Sequence, residues 1–168
     1  MPYFLFLLLV LTACSTSEEA GALLSDAESD DLPTTVFGYR GGWGSENYIR
    51  YHAGDLYRNA YAGLRTNEPE NQLNHTDLAT DEGNWQLVGP APSDVVDAVR
   101  TLPLTALEEI EQTEDCPALA ADGSCPYVGV LRGGEGGTYL DWFGDFSDRP
   151  VVARYMLRVS DLVEKYGQ

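Results

Sequence analysis

Apolar and polar positions alternate with period two through several short stretches, then change to a helical period near the end of the chain. Residues 35–40, 47–51 and 56–61 are rich in β-branched and aromatic side chains and are separated by glycine-containing turns, which predicts a β-meander. Phe37 with Tyr39, and Tyr57 with Tyr61, stand at alternate positions, so these aromatics are expected to line one sheet face. Residues 66–84 hold only two Leu and one Ala among polar side chains and read as a long loop. Residues 85–88 form a short fourth strand ahead of Gly89 and Pro90, and the pattern then turns helical.

A helix starting at Pro92 or Ser93 places Val95, Val96 and Val99 on one face, and Leu102-Pro103-Leu104 stops it because proline lacks an amide donor and restricts its predecessor. Thr105 with Glu108 has the capping-box spacing and opens a second short helix through Ile110. Two strands follow, 127–132 and 138–143, joined by a glycine-rich turn as a hairpin. The last element is the clearest. Val151, Val152, Tyr155, Met156, Val159, Leu162, Val163 and Tyr166 recur at helical spacing, with Pro150 in the first turn and Ser147 or Asp148 available as a cap. The fold class is therefore α+β: an antiparallel sheet of about five or six strands, packed by a C-terminal amphipathic helix and two short helices.

Ahead of this single domain, 34–168, the chain changes character twice. Residues 4–11 are almost unbrokenly apolar, about half the roughly 20 residues that a membrane-spanning helix needs, so they read as a secretory h-region. They end in Leu11-Thr12-Ala13-Cys14, which resembles the lipobox of bacterial lipoproteins. The resemblance implies a signal peptide over 1–13, cleavage before Cys14, a diacylglycerol on its sulfur and acylation of the new amine. It also implies a membrane partner through that lipid, and two or three acyl chains anchor stably where one does not. Ser15 stands where inner-membrane lipoproteins of Gram-negative bacteria usually have Asp, which favours the outer membrane, facing the periplasm, for such a source. The n-region Met1-Pro2-Tyr3 departs from the pattern in having no Lys or Arg. Residues 14–33 carry Glu18, Glu19, Asp26, Glu28, Asp30 and Asp31 with no basic partner, the composition of an acidic flexible tether.

Charge narrows the partners. The 168 residues hold 27 Asp and Glu against 10 Lys and Arg, a formal net charge of -17, and nine of the ten basic residues are Arg. Such a surface repels the phosphates of nucleic acids and anionic lipid headgroups, so DNA and RNA are not expected partners. The same bias belongs to proteins adapted to high salt, where screening offsets self-repulsion, and also to ordinary acidic exported domains from Arg-rich genomes. A melting temperature that climbs with NaCl separates the two.

With Cys14 assigned to the anchor, Cys116 and Cys125 remain as an even pair in an oxidising compartment. Neither belongs to a Cys-x-x-Cys motif and no His lies within forty residues, so a structural disulfide is expected in place of a metal or redox pair. Chemistry is otherwise sparse. His52 and His75 sit in no motif, and Gly-x-Ser-x-Gly, catalytic-cysteine and paired-histidine zinc patterns do not occur. No enzyme activity, cofactor or metal is expected. Glu135, Asp141, Asp145 and Asp148 lack the Asp-x-Asp-x-Asp-Gly order of a calcium loop and read as solvated surface, with Asp148 capping the last helix.

Three residues are candidates for binding. Trp43 lies in the turn Gly41-Gly42-Trp43-Gly44, where it either packs on the sheet or stands out as a recognition anchor. Arg40 and Arg132 each precede a Gly-Gly pair at the end of a strand. The plan of Tyr39-Arg40-Gly41-Gly42-Trp43-Gly44, a helical pair, a Tyr127-Val128-Gly129-Val130 strand and a terminal helix resembles uncharacterised bacterial exported domains and the emfourin-type inhibitors of thermolysin-like proteases. The expectation is a lipid-anchored cell-envelope domain that binds or scaffolds an envelope protein partner. An envelope protease inhibitor is the second reading and an enzyme of unrecognised type the third.

Overall fold

The computed structural model describes residues 32–41, 47–59, 85–110, 116, 123–133 and 136–168. Among them, six strands make one sheet: β1 (Thr34–Gly41), β2 (Tyr48–His52), β3 (Asp55–Asn59), β4 (Trp85–Pro90), β5 (Ser124–Arg132) and β6 (Thr138–Phe143). Their spatial order is β4-β3-β2-β1-β5-β6, and every neighbouring pair is antiparallel. Three helices complete the described fold: α1 (Ser93–Arg100), α2 (Leu104–Glu108) and α3 (Pro150–Tyr166). This is the α+β arrangement expected. The first four strands meander outward from β1, and the chain returns through α1 and α2 so that β5 pairs with the free side of β1.

Local chemistry fixes the registers. The β2–β3 hairpin turns through Ala53 and Gly54, with φ of 48° and 84°, and pairs His52 with Asp55. Two left-handed residues give the two-residue turn whose twist matches that of paired strands. From that register Ile49, Tyr51 and Leu56 point to one side, and β1 adds Phe37 while β5 adds Val128 and Val130. Val95, Val99, Leu107, Val152, Tyr155 and Val159 close over them from the helices, all buried. Each such aliphatic or aromatic side chain contributes about 1.5 to 3 kcal/mol when fully withdrawn from water. Leu32, counted in the tether from its acidic surroundings, belongs to this core and is buried.

Several local expectations are corrected. Phe37 faces the helices, but Tyr57 faces the opposite side of the sheet, because Ile49 pairs with Arg58 and so puts Arg58 on the side of Phe37. Alternation within a strand says which residues share a face, whereas the pairing register says which face that is. Tyr61 lies outside the described residues. Val151 turns away from the core, since Val152, Tyr155, Met156, Val159, Leu162 and Val163 already complete the buried stripe of α3.

Neither predicted cap forms. Arg149 occupies the N-cap of α3 without a side-chain bond, and the Ser147 amide instead donates to Asp145 Oδ1 at 3.0 Å. Pro103 occupies the N-cap of α2, which begins at Leu104, so Thr105 is already inside the helix. Glu108 is thereby released to ion-pair with Arg132, Oε1 to Nη1 at 2.6 Å.

Candidate functional site

The face of the sheet opposite the described helices carries the unusual chemistry. Register places Gly38, Tyr127 and Phe143 in one row across β1, β5 and β6, with Val36, Gly129 and Asp141 in the next row on the same face. Arg50 joins from β2 opposite Val36, and Tyr57 from β3 opposite Arg50. Val36, Tyr48, Trp85 and Tyr127 form a buried cluster, with Tyr57, Tyr139 and Phe143 packed around it.

Glycines make room for the rings. A Cβ on Gly38 would overlap the Tyr48 ring, and one on Gly129 would overlap the Tyr139 hydroxyl. Two large aromatics can therefore lie across the sheet where any side chain would stand in their way. Tyr48 meets Tyr127 edge to face, centroids 5.5 Å apart and planes at 82°, an arrangement that the ring quadrupoles favour. The Tyr127 and Tyr139 hydroxyls share a hydrogen bond of 2.5 Å. Burial pushes both phenols well above the ordinary tyrosine range, and the nearby Asp141 carboxylate pushes them further. They stay protonated at every physiological pH and act as hydrogen-bonding groups, without basic or nucleophilic character.

Two guanidinium groups stack on this aromatic layer. Arg40 Cζ stands 4.1 Å from the Phe143 ring centre, and Arg50 Cζ stands 4.6 Å from Tyr57 and 5.0 Å from Trp85. Arginine over a ring face gains about 0.5 to 2 kcal/mol, more as the pair loses water. Arg40 also pairs directly with Cys125, and Cys125 is bonded to Cys116, their Cα atoms 6.1 Å apart. The expected disulfide is thus present. It closes the same end of the sheet that Arg40 and Phe143 occupy.

The sequence-predicted binding residues do not converge. Arg40 lies on the aromatic face at the Cys125 end, whereas Arg132 lies at the far end of β5, on the helix side, paired with Glu108. The two Arg-Gly-Gly positions therefore do unlike work. Trp43, Cys14, the signal segment 1–13 and nearly all of the tether 14–33 lie outside the described residues, as do His75 and Glu135. His52 is described and its Nδ1 lies 2.7 Å from Thr34 Oγ1. Among the described residues no group of three or more His, Cys, Asp and Glu stands placed to hold a metal ion, and no helix is long and apolar enough to cross a membrane.

Sequence reasoning overlooked Arg50, Tyr48, Tyr127 and Tyr139. The signal was available: an Arg between Ile49 and Tyr51 in a strand otherwise apolar implies a second face with its own partners. With the geometry in hand, the arrangement is that of a buried packing layer made from rings, neutral hydroxyls and stacked guanidinium groups, half-buried where Arg40 meets Phe143. No protein-family model, curated protein or solved structure matches the chain.

Proposed function

We propose that the chain is a lipid-anchored cell-envelope protein whose α+β domain binds or scaffolds an envelope partner without catalysing a reaction. One observation carries this reading: the apolar run 4–11 ends in Leu11-Thr12-Ala13-Cys14, a small residue followed by a cysteine at the point where an exported chain would be cut and acylated. The Cys116–Cys125 disulfide supports it, since such bonds persist in oxidising compartments and are rare in the cytosol. Only the half-buried end of the aromatic face, where Arg40 stacks on Phe143, supports the binding part, because rings and arginines are the side chains that dominate recognition surfaces.

Detergent phase partitioning tests the reading. The chain expressed whole in a bacterium enters the detergent phase of a Triton X-114 extract, and the Cys14→Ser variant enters the aqueous phase. Aqueous partitioning of both forms would remove the anchor. Stoichiometric inhibition of a thermolysin-like metalloprotease by the purified protein would move the reading to an envelope protease inhibitor.

A further inference from the structure

Strand β4 is an outermost strand of the sheet, paired with β3 alone among the described residues. Its side chains Gln86, Leu87 and Val88 are all open to water, Leu87 and Val88 at 55% and 54%. The two apolar neighbours stand out together because the strand bulges: Leu56 pairs with Gly89 and Tyr57 with Leu87, which leaves Val88 with no residue across from it. An exposed edge is ordinarily guarded by a charged side chain, a proline or a bulge. Here the bulge and Pro90 guard only the last part of the strand, and residues 85–87 are regular and unguarded. From 85 to 93 the chain has no charged residue, in a protein of net charge -17. On β3, the next strand inward, the charged residues are Asp55 and Arg58, one of each sign. The opposite edge strand differs, since β6 carries Asp141 and Thr138 is its one exposed side chain.

We propose that β4 pairs with β4 of a second copy of this chain, antiparallel about a two-fold axis near Gln86, so that two six-stranded sheets join into one. Charge selects this occupant. A two-fold axis sets each nearby residue beside its own equivalent, so a carboxylate at the axis meets another carboxylate. With 27 acidic residues against 10 basic, most of the surface is closed to a second copy on that ground, and the neutral edge is where the objection lapses. An acidic or a basic partner, in contrast, finds no charge on this strand to hold it. Pairing completes the open ladder of residues 85–87 and sets Leu87 of each copy against Trp85 of the other, on the aromatic side of the sheet. An edge contact of this kind buries less than the about 1,200 Å² of a stable interface, so the dimer is a weak one. Repulsion between two copies at net -17 reaches about 8 Å at physiological salt and about 3 Å at 1 M, so salt tightens the pair.

The contact needs no lipid anchor, so the test uses the whole chain as Cys14→Ser, in which no acyl group can drive association and the anchor reading is not at stake. Sedimentation equilibrium shows a monomer–dimer equilibrium that tightens from physiological salt to 1 M NaCl. Leu87→Lys sets like charges beside the axis and weakens the dimer at least about tenfold. Leu157→Lys, 68% exposed on α3, leaves it unchanged. Hydrogen exchange of the chain without either lysine keeps the test independent of how the variants fold: protection of the β4 amides rises with protein concentration, and that of the β6 amides does not. A monomer at every concentration, a dimer that survives Leu87→Lys, a dimer that salt loosens, or protection that rises elsewhere than in β4 overturns the proposal.

Discussion

Tyr139 reaches diagonally across the β5–β6 pair so that its hydroxyl lies over Gly129, where a side-chain carbon would collide with it. The same hydroxyl bonds that of Tyr127, which ties the edge strand β6 to β5 on the aromatic face. Gly129 is thus required by what lies on top of it, and its own backbone conformation needs no glycine.

Gly129→Ala should cost about 2 kcal/mol, the usual penalty for forcing a carbon into a filled site. Tyr139→Phe in the Gly129→Ala background should return part of that loss, because the overlapping oxygen is gone. Urea unfolding of the two singles and the double measures it, and losses that simply add would contradict the contact.

Tyr155 donates from α3 to the Ala98 carbonyl of α1 at 3.0 Å, in buried surroundings. Ala98 lies in the last turn of an eight-residue helix, where carbonyls have no intrahelical donor, so this phenol satisfies one of them. Tyr155→Phe should lower stability by about 1 to 2 kcal/mol by leaving that carbonyl buried and unpaired. An unchanged urea midpoint would show that water replaces the phenol freely.

Asp94 joins the first turn of α1 to the last turn of α3. Its carboxylate accepts from Lys165 Nζ at 3.0 Å, from Tyr166 Oη at 2.9 Å and from the Val95 amide at 3.1 Å. Burial alone would raise its pKa, but the bonds from Lys165 and Tyr166 outweigh that and hold it below the ordinary value of 3.8. A carboxyl with a depressed folded-state pKa stabilises above its unfolded pKa, and the contribution disappears as pH falls from near 4 through the lower folded value. The side chain is more than a third exposed, so solvent screening keeps the effect small, about 0.5 kcal/mol. Asp94→Asn should lower stability by that amount at pH 7, and the difference should shrink as pH falls through the lowered folded-state value. A difference that persisted undiminished at low pH would assign the effect to something other than this charge.

Reduction of the Cys116–Cys125 bond should destabilise by about 2 to 3 kcal/mol, the chain-entropy value for a loop of this length. Melting with and without a reductant, beside a Cys116→Ser/Cys125→Ser variant, reads it. Equal melting temperatures in all samples would make the bridge energetically silent.

Much of this architecture was legible in the pattern of side chains. Strand and helix positions followed from period and from turn residues, because β-branched and aromatic runs between glycines and a stripe at 152, 155, 156, 159, 162 and 163 leave few alternatives. The faces were not legible, since they depend on register: Tyr57 and Phe37 are both strand aromatics and only pairing across the Ala53-Gly54 turn separates them. The caps were misread for a related reason. Pro103 and Pro150 already supply a helix-compatible φ at the helix start, so Thr105 and Asp148 lie out of phase with the termini they were expected to cap. The pairing of Arg132 with Glu108, and the stacking of Arg50 on Tyr57 and Trp85, join residues distant in sequence through topology, which no local pattern reveals.

Mass spectrometry of the N-terminal peptide from protein isolated from its native envelope tests the central claim most directly. The account predicts a chain that starts at Cys14 and carries a diacylglyceryl group on sulfur, with an acylated amine. A peptide retaining Met1, or one starting elsewhere with an unmodified Cys14, would contradict it.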